Sequence, residues 1–186
     1  MVVTEEKQLL LLIRDPDTKH KAFEDIVRNY QKPLYFHIRR IVIAHADADD
    51  VLQNTFLKAW RYIDNFRAES SLKTWLYRIA TNEALSFLNK QKKQYHEAVE
   101  DINNDLRHSL DQSPNIAGDE IQIRLQAAIL RLPDRQRLVF NMRYFDDLKY
   151  AEMAEMLELS VGALKASYHH AVKKIEKYIK EDPLIS

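Results

Sequence analysis

The stretch KYAEMAEMLELSVGALKASYHHAVKKIEKYIK, residues 149–180, decides the fold of the second half of this chain. Apolar residues recur in it at helical spacing, which predicts one helix from Lys149 to Leu157 and another from Val161 to about Lys180. Ser160 is a good N-cap residue for the second helix. Because two short helices joined by so tight a turn must cross steeply, the stretch is predicted to form a helix-turn-helix.

The second of these helices is predicted to turn a small and basic face to solvent. Its apolar stripe is Val161, Leu164, Tyr168, Val172, Ile175 and Ile179. The other side of the helix carries Gly162, Ala163, Lys165, Ala166, Ser167, His169, His170, Lys173 and Lys174. Small residues near a helix start permit close approach to base edges, and basic residues further along suit phosphate contacts. The pattern favours DNA binding, with an ordinary helical hairpin that has a solvated basic face as the alternative.

Further helices are predicted on both sides of an acidic and polar segment. In the second half they cover about 119–130 and 134–144, and in the first half about 4–13, 18–41, 47–63 and 70–93. Pro33 is expected to kink or break the helix that contains it. Residues 95–118 lack a core-facing stripe and contain Ser113-Pro114 and Gly118, so they are predicted to be a flexible linker. The predicted fold is all-α, with two small helical domains at 1–94 and 119–186.

Composition agrees with a helical protein and narrows its chemistry. The 186 residues include only 2 glycines, fewer than a sheet-rich fold normally needs, and no cysteine, which excludes disulfides and thiol chemistry. The longest apolar run, 9–13, is too short to cross a bilayer, so we expect a soluble, intracellular protein with no membrane insertion. The 28 basic and 28 acidic residues cancel overall, but the first 94 residues carry an excess of basic charge.

The predicted helix that starts at Ser70 or Ser71 has a second candidate face for nucleic acid. Trp75, Arg78 and Asn82 fall together on it, opposite the apolar stripe. A base of single-stranded nucleic acid stacking on the indole is one interpretation of a tryptophan on a polar face. The alternative is that Trp75 packs beneath the preceding loop. That loop, residues 64–71, is itself a candidate pocket for an extruded base, or else a plain helix connection.

The helix predicted to start at the acidic cluster Asp47, Asp49 and Asp50 exposes a different face. Its polar residues surround one apolar side chain, and together they are Asp50, Gln53, Asn54, Leu57 and Arg61. An exposed leucine among polar groups hints weakly at a protein partner. Three aspartates at a helix start fit either a Mg²⁺ site or simple stabilisation of the helix dipole, and the second interpretation is the stronger. The seven histidines show no convincing metal-ligand spacing.

Two stretches together resemble the extracytoplasmic-function group of RNA polymerase sigma factors. Residues 47–88, DADDVLQNTFLKAWRYIDNFRAESSLKTWLYRIATNEALSFL, are similar to region two of that family. Residues 132–175, LPDRQRLVFNMRYFDDLKYAEMAEMLELSVGALKASYHHAVKKI, are similar to region four. The order, the spacing and the absence of a region-three domain between them all agree with the family.

The resemblance implies three surfaces on a protein without catalytic site, metal or cofactor. Core RNA polymerase would be bound by Asp50, Gln53, Asn54 and Leu57. The minus-ten promoter element would be read and melted by Phe66, Arg67, Ser70, Ser71, Trp75, Arg78 and Asn82. The minus-thirty-five element would be read by Ser160, Lys165, Ser167, His169, His170 and Lys173.

This chain departs from the family pattern at several of the positions that the resemblance marks. Asn54 replaces a usual Glu, and Ser167 and His170 replace usual arginines. Glu158 stands at a usual turn glycine, and Lys149 stands where a serine often caps the helix. The docking contact and the promoter sequence are therefore expected to differ from those usual in the family.

The resemblance also implies partners and a compartment. The expected partners are core RNA polymerase, promoter DNA and an anti-sigma protein. The protein is expected in the cytoplasm and, when free, as a monomer. A polymerase-independent, dimeric helix-turn-helix regulator is the main alternative, although no sensor pocket or phosphoacceptor is evident. An enzyme is a weaker alternative, because it would depend on the three aspartates at the start of one helix.

Overall fold

The computed structural model describes residues 8–9, 11–67, 69–95 and 120–180, without the side chains of 92–95 and 120–123. Within these ranges the regular structure is helical and no residue lies in a β-strand, which confirms the predicted all-α class. The chain divides into two compact units, residues 1–99 and 100–186. The predicted linker lies outside the described residues apart from Tyr95, so its boundaries and flexibility stay predictions.

The first unit is built on three long helices. They are α1 (Pro16–Val42), α2 (His45–Tyr62) and α3 (Leu72–Tyr95), with a 3₁₀ turn at Ile63–Asn65 after α2. Residues 11–14 are also helical, and the rest of the helix predicted at 4–13 lies largely outside the described residues. At the start of α1 the Asp15 carboxylate accepts the Asp17 N–H at 3.0 Å, and Pro16 occupies the first turn, where its missing N–H costs nothing.

The predicted break at Pro33 is wrong, because α1 runs through this residue, whereas a kink there stays a prediction. Pro33 itself faces solvent, while Leu34 and Ile38 in the following turn are fully buried. The burial of those side chains against the neighbouring helices stabilises the helical path that the proline alone disfavours.

Small and β-branched side chains line the core contact of α2. Ala48, Val51, Thr55 and Ala59 are buried, whereas the larger Leu52, Phe56 and Trp60 are only half-buried. The small residues among them let the neighbouring helices approach α2 closely. The rings of Phe56 and Trp60 instead lie at the edge of this helix contact, where the ring centroids of Trp60 and Phe23 are 5.0 Å apart.

The described part of the second unit, residues 120–180, contains four shorter helices. They are α4 (Glu120–Leu130), α5 (Asp134–Tyr144), α6 (Tyr150–Leu157) and α7 (Val161–Lys180). Its core includes Ala128, Ile129, Leu132, Phe140, Ala171 and Ile175. These residues join α4 and α5 to the inner side of α7, which leaves the first turns of α7 to pack on α6.

The tight turn between α6 and α7 confirms the predicted helix-turn-helix. Glu158 ends α6 in the left-handed region, with φ 54° and ψ 43°, and its N–H donates to the Ala154 carbonyl. Ser160 caps α7, since its hydroxyl oxygen accepts the Ala163 N–H at 3.1 Å. None of the helices in the described part of the chain has the length and hydropathy of a membrane span.

Candidate nucleic-acid interface

The first residues of the 64–71 loop are anchored to α1 and α3. Lys19 of α1 donates to both carboxylate oxygens of Asp64, at 2.7 and 2.6 Å. Phe66 is 7% exposed and its ring centroid lies 5.2 Å from that of Trp75 at the start of α3. Between these anchors and the helix, Arg67 and Ser71 remain exposed. The loop therefore exposes polar groups to solvent while Asp64 and Phe66 anchor it to the neighbouring helices.

The expectation that the Trp75 ring faces solvent is wrong, because only 8% of the residue is exposed. The helical wheel placed Trp75 on the correct side of α3, but in the first turn the preceding loop covers that side. The structure thus agrees with the alternative in which Trp75 packs beneath the loop. Phe66, another predicted DNA contact, is its buried partner.

Ser71 caps α3. Its hydroxyl oxygen accepts the Thr74 N–H at 3.0 Å and lies 2.8 Å from the Thr74 hydroxyl. Because the helix uses this oxygen, a DNA contact by Ser71 would compete with the cap. Ser70 beside it is half-buried.

Beyond the first turn, the polar face of α3 is open as predicted. Asn82, Ser86 and Asn89 are exposed, and Arg78 is half-buried one turn before Asn82. Arg78 and Asn82 therefore follow the buried Trp75 on one face of α3, and Arg67 is exposed in the loop that precedes this helix. A cationic and amide-bearing strip of this kind suits contacts to a nucleic-acid backbone and base edges.

The predicted partner face of α2 is exposed along its whole length. Asp50, Gln53, Asn54 and Arg61 are exposed, and Leu57 in their midst is 58% exposed. Next to this face, Lys58 pairs with Glu83 of α3. The outward groups of this face therefore remain accessible beside a contact that links α2 to α3.

The acidic cluster at the start of α2 does not converge on one point. Asp47 accepts a hydrogen bond from Gln91 at 3.2 Å, and Asp49 lies 3.0 Å from His45 Nδ1. Asp50 points outward with the partner face. Among the side chains that the structure describes, no group of three acidic or histidine residues is arranged to hold a metal ion.

The outer face of α7 carries the predicted basic groups. Lys165, His169, His170 and Lys173 are exposed, and Ser167 is half-buried. Among the described residues the first turn is open, because a Cβ at Gly162 would meet only the Ser160 hydroxyl, at 4.0 Å. Val161, predicted in the inner stripe, is instead 38% exposed, since α6 ends before it can cover this residue.

An aromatic and cationic cluster that the sequence did not reveal supports the start of α7. Lys165 Nζ lies 5.9 Å and the Arg143 guanidinium 5.7 Å from the centre of the Tyr150 ring. Tyr168 packs edge-on against Tyr150. The pKa of the Tyr168 phenol is raised above its ordinary value of 10.0, mainly by burial and secondly by the neighbouring Tyr150. These groups come from three helices, so helical periodicity within one segment contains no signal for them.

Both units match family models of one kind. The model of Sigma-70 region 2 matches residues 26–94, and that of Sigma-70 region 4 matches residues 122–175. The ECF RNA polymerase sigma factor SigW of Bacillus subtilis is 30% identical over 86% of this chain and 90% of its own length. The chain belongs to the extracytoplasmic-function group of RNA polymerase sigma factors. In this sigma factor, region 2 spans most of α1 through α3, and region 4 spans most of α4 through α7.

Other relatives agree in sequence or in fold. The RNA polymerase sigma-H factor of Pseudomonas aeruginosa is 31% identical over 96% of this sigma factor and 97% of its own length. A co-crystal structure of the sigma factor RpoE with the anti-sigma factor NepR from Bartonella quintana has a TM-score of 0.73 at 22% identity, over 87% of this chain and 99% of that one. Because both halves match sigma-factor regions, a polymerase-independent regulator is not favoured.

Proposed function

We propose that this sigma factor docks on core RNA polymerase through α2, reads and melts the minus-ten element with the 64–71 loop and α3, and reads the minus-thirty-five element with α7. The observation that carries the proposal is the exposure of three polar or basic helix faces within the two family-matched segments, those of α2 and α3 in the first unit and that of α7 in the second. Apart from the first turn of α3, where the 64–71 loop covers Trp75, each face is exposed in the described part of the chain.

Docking is assigned to the face of Asp50, Gln53, Asn54 and Leu57. A largely exposed leucine surrounded by polar side chains has the anatomy of a small interface, with an apolar centre and a polar rim. Asn54 is neutral where the family usually has Glu, so this contact would contain one ion pair fewer. The exposed polar groups would then set orientation rather than most of the affinity.

Strand opening is assigned to the 64–71 loop together with α3. A base extruded from the duplex must be held by stacking or hydrogen bonds that offset an unstacking cost of a few kcal/mol. Asn82 offers an amide for a base edge, and Arg67 and Arg78 offer cations for the strand backbone. Trp75 and Phe66 are buried, and their packing against each other keeps the loop in place.

Recognition of the upstream element is assigned to α7. Its first turn has only small side chains at Gly162 and Ala163, which allows the helix to enter a major groove. Lys165 and Lys173 would each contribute about −0.9 to the log–log salt dependence of binding if they neutralise one phosphate. His170 and Ser167 differ from the usual arginines, and we expect a base preference different from that of arginine-bearing relatives.

The remaining assignments follow from family membership. We propose a cytoplasmic initiation factor that catalyses no reaction and needs no cofactor, with core RNA polymerase, promoter DNA and an anti-sigma protein as partners. The free protein is expected to be a monomer. Size-exclusion chromatography separates this proposal from a dimeric regulator, because the regulator would elute at twice the mass.

The decisive experiment is run-off transcription from genomic fragments with purified core polymerase, followed by mapping of the start sites. Transcripts from a defined promoter set that appear only when this protein is added would support the proposal. A gel-shift comparison of the free protein with the holoenzyme is the companion measurement. Equally tight specific binding by the free protein would contradict the dependence on polymerase.

A further inference from the structure

We propose that Lys19 is a positioning residue for the 64–71 loop, acting through Asp64. The inference rests on the proposed role of that loop in reading the minus-ten element. Lys19 lies in the first turns of α1, 45 residues before Asp64. Nothing in the sequence pattern links the two positions.

The geometry around Lys19 leaves its ammonium little freedom. Its Nζ donates to both oxygens of the Asp64 carboxylate and lies 4.8 Å above the Trp60 ring. Only 21% of the Lys19 side chain is exposed, compared with 59% for Asp64. His20 and Phe23 pack on the same Trp60 ring, at 4.7 and 5.0 Å between ring centroids. The lysine is therefore oriented by packing as well as by charge.

Asp64 occupies the position in the loop where a tether has most effect. It lies in the 3₁₀ turn between two buried anchors, Ile63 at 2% exposure and Phe66 at 7%. Those apolar anchors fix the depth of the turn, while the ion pair with Lys19 ties its outward side to α1. The chain leaves this turn directly into the exposed Arg67. A change in the orientation of Asp64 would thus be transmitted to the residues that are proposed to meet the extruded base.

Two separate contacts then hold the loop before DNA arrives, one from α1 through Lys19 and one from α3 through Trp75. A loop that is ordered in advance loses less conformational freedom on binding, so it binds more tightly and discriminates better. Since an isolated exposed ion pair contributes little to global stability, the principal effect of Lys19 is expected on base discrimination rather than on folding.

The test uses the holoenzyme on a promoter found by run-off transcription. The variants are Lys19→Met, which keeps the length of the side chain, Asp64→Asn, which keeps its shape, and Lys19→Arg, which keeps the charge. Lys21→Met is the matched control, because Lys21 is exposed on the same helix. Run-off yield is measured on the promoter and on templates in which each minus-ten base is replaced in turn. The unfolding midpoint in urea is measured for each protein by tryptophan emission.

We expect Lys19→Met and Asp64→Asn each to lower the discrimination at the base read by the loop by about three- to fivefold, the size of a partly exposed ion pair with a cation–π contact. The double variant should lose no more than either alone, and Lys19→Arg should retain the discrimination of the unchanged protein. Unchanged discrimination in Lys19→Met would overturn the proposal. So would an equal loss of yield on all templates together with a lower unfolding midpoint. If the unchanged protein and core polymerase yield no specific transcript, the proposed function fails instead, independently of Lys19.

Discussion

Replacing Trp75 with alanine should destabilise the first unit rather than only weaken its hold on DNA. Trp75 is 8% exposed and packs on Phe66 beneath the 64–71 loop. A buried tryptophan removes roughly 150–250 Å² from water, which at about 25 cal/mol per Å² amounts to about 4–6 kcal/mol as an upper estimate. Large-to-small substitutions of this kind cost about 3–5 kcal/mol of unfolding free energy. Trp75→Phe, which keeps an aromatic ring against Phe66, should cost clearly less.

The assay is urea unfolding followed by tryptophan emission. The chain has 2 tryptophans, Trp60 and Trp75, and both lie in the first unit, so emission reports that unit alone. In the Trp75 variants Trp60 is the reporter, and a loss of 3–5 kcal/mol shifts the midpoint by roughly 1–3 M urea. Asn82→Ala is the control, because an exposed position on the same helix should change the unfolding free energy by no more than about 0.5 kcal/mol.

A second measurement separates packing from stacking. In a Trp60→Phe protein, the emission of Trp75 should resist acrylamide quenching and should change little when a single-stranded minus-ten oligonucleotide is added. Strong quenching by the oligonucleotide, with a loss of less than about 1 kcal/mol in Trp75→Ala, would refute the reasoning. That pair of results would instead make Trp75 a base-stacking contact.

Three further predictions concern the other surfaces. The double variant Asp50→Ala with Gln53→Ala should no longer co-purify with core polymerase while its unfolding midpoint stays unchanged, because both side chains are exposed; normal co-purification would remove the docking assignment. Glu158→Gly should stabilise the second unit by about 1 kcal/mol, because position 158 has a φ of 54°, which strains any residue with a Cβ. Amide hydrogen exchange in α6 and α7 should then slow, and faster exchange would contradict the strain. Lys165→Ala should reduce the magnitude of the log–log salt slope of holoenzyme binding by about 0.9, whereas Lys180→Ala at the far end of α7 should not; equal slopes in both would show that Lys165 touches no phosphate.

The helices and their ends were largely predictable, because the forces that set them are local. A helix forms hydrogen bonds between residues four apart, and its ends are marked by caps within a few residues. Ser160 therefore predicted the start of α7, as the structure shows, whereas α1 begins at Pro16, two residues before its predicted start at about residue 18. The helix-turn-helix of α6 and α7 also followed from the short connection between their apolar patterns.

The outward-facing residues of the candidate site could also be predicted from the sequence, because helical periodicity is local too. The outward faces of α2 and α7 were read correctly at Leu57, Lys165 and His170, because the apolar stripe opposite each of them was clear. Which of those groups touches polymerase or DNA is a matter for the experiments above.

Sequence alone thus determined the helical class of this protein, the helix-turn-helix and the outward faces, since periodicity and capping act within a few residues of chain. Only the tertiary structure decided that Pro33 lies inside a continuous helix, that the loop buries Trp75, and that Lys19 reaches Asp64. A helical wheel specifies the direction of a side chain but not the segment that covers it. Such covering depends on residues distant in the chain, whose packing free energy exceeds the local preference of any one residue.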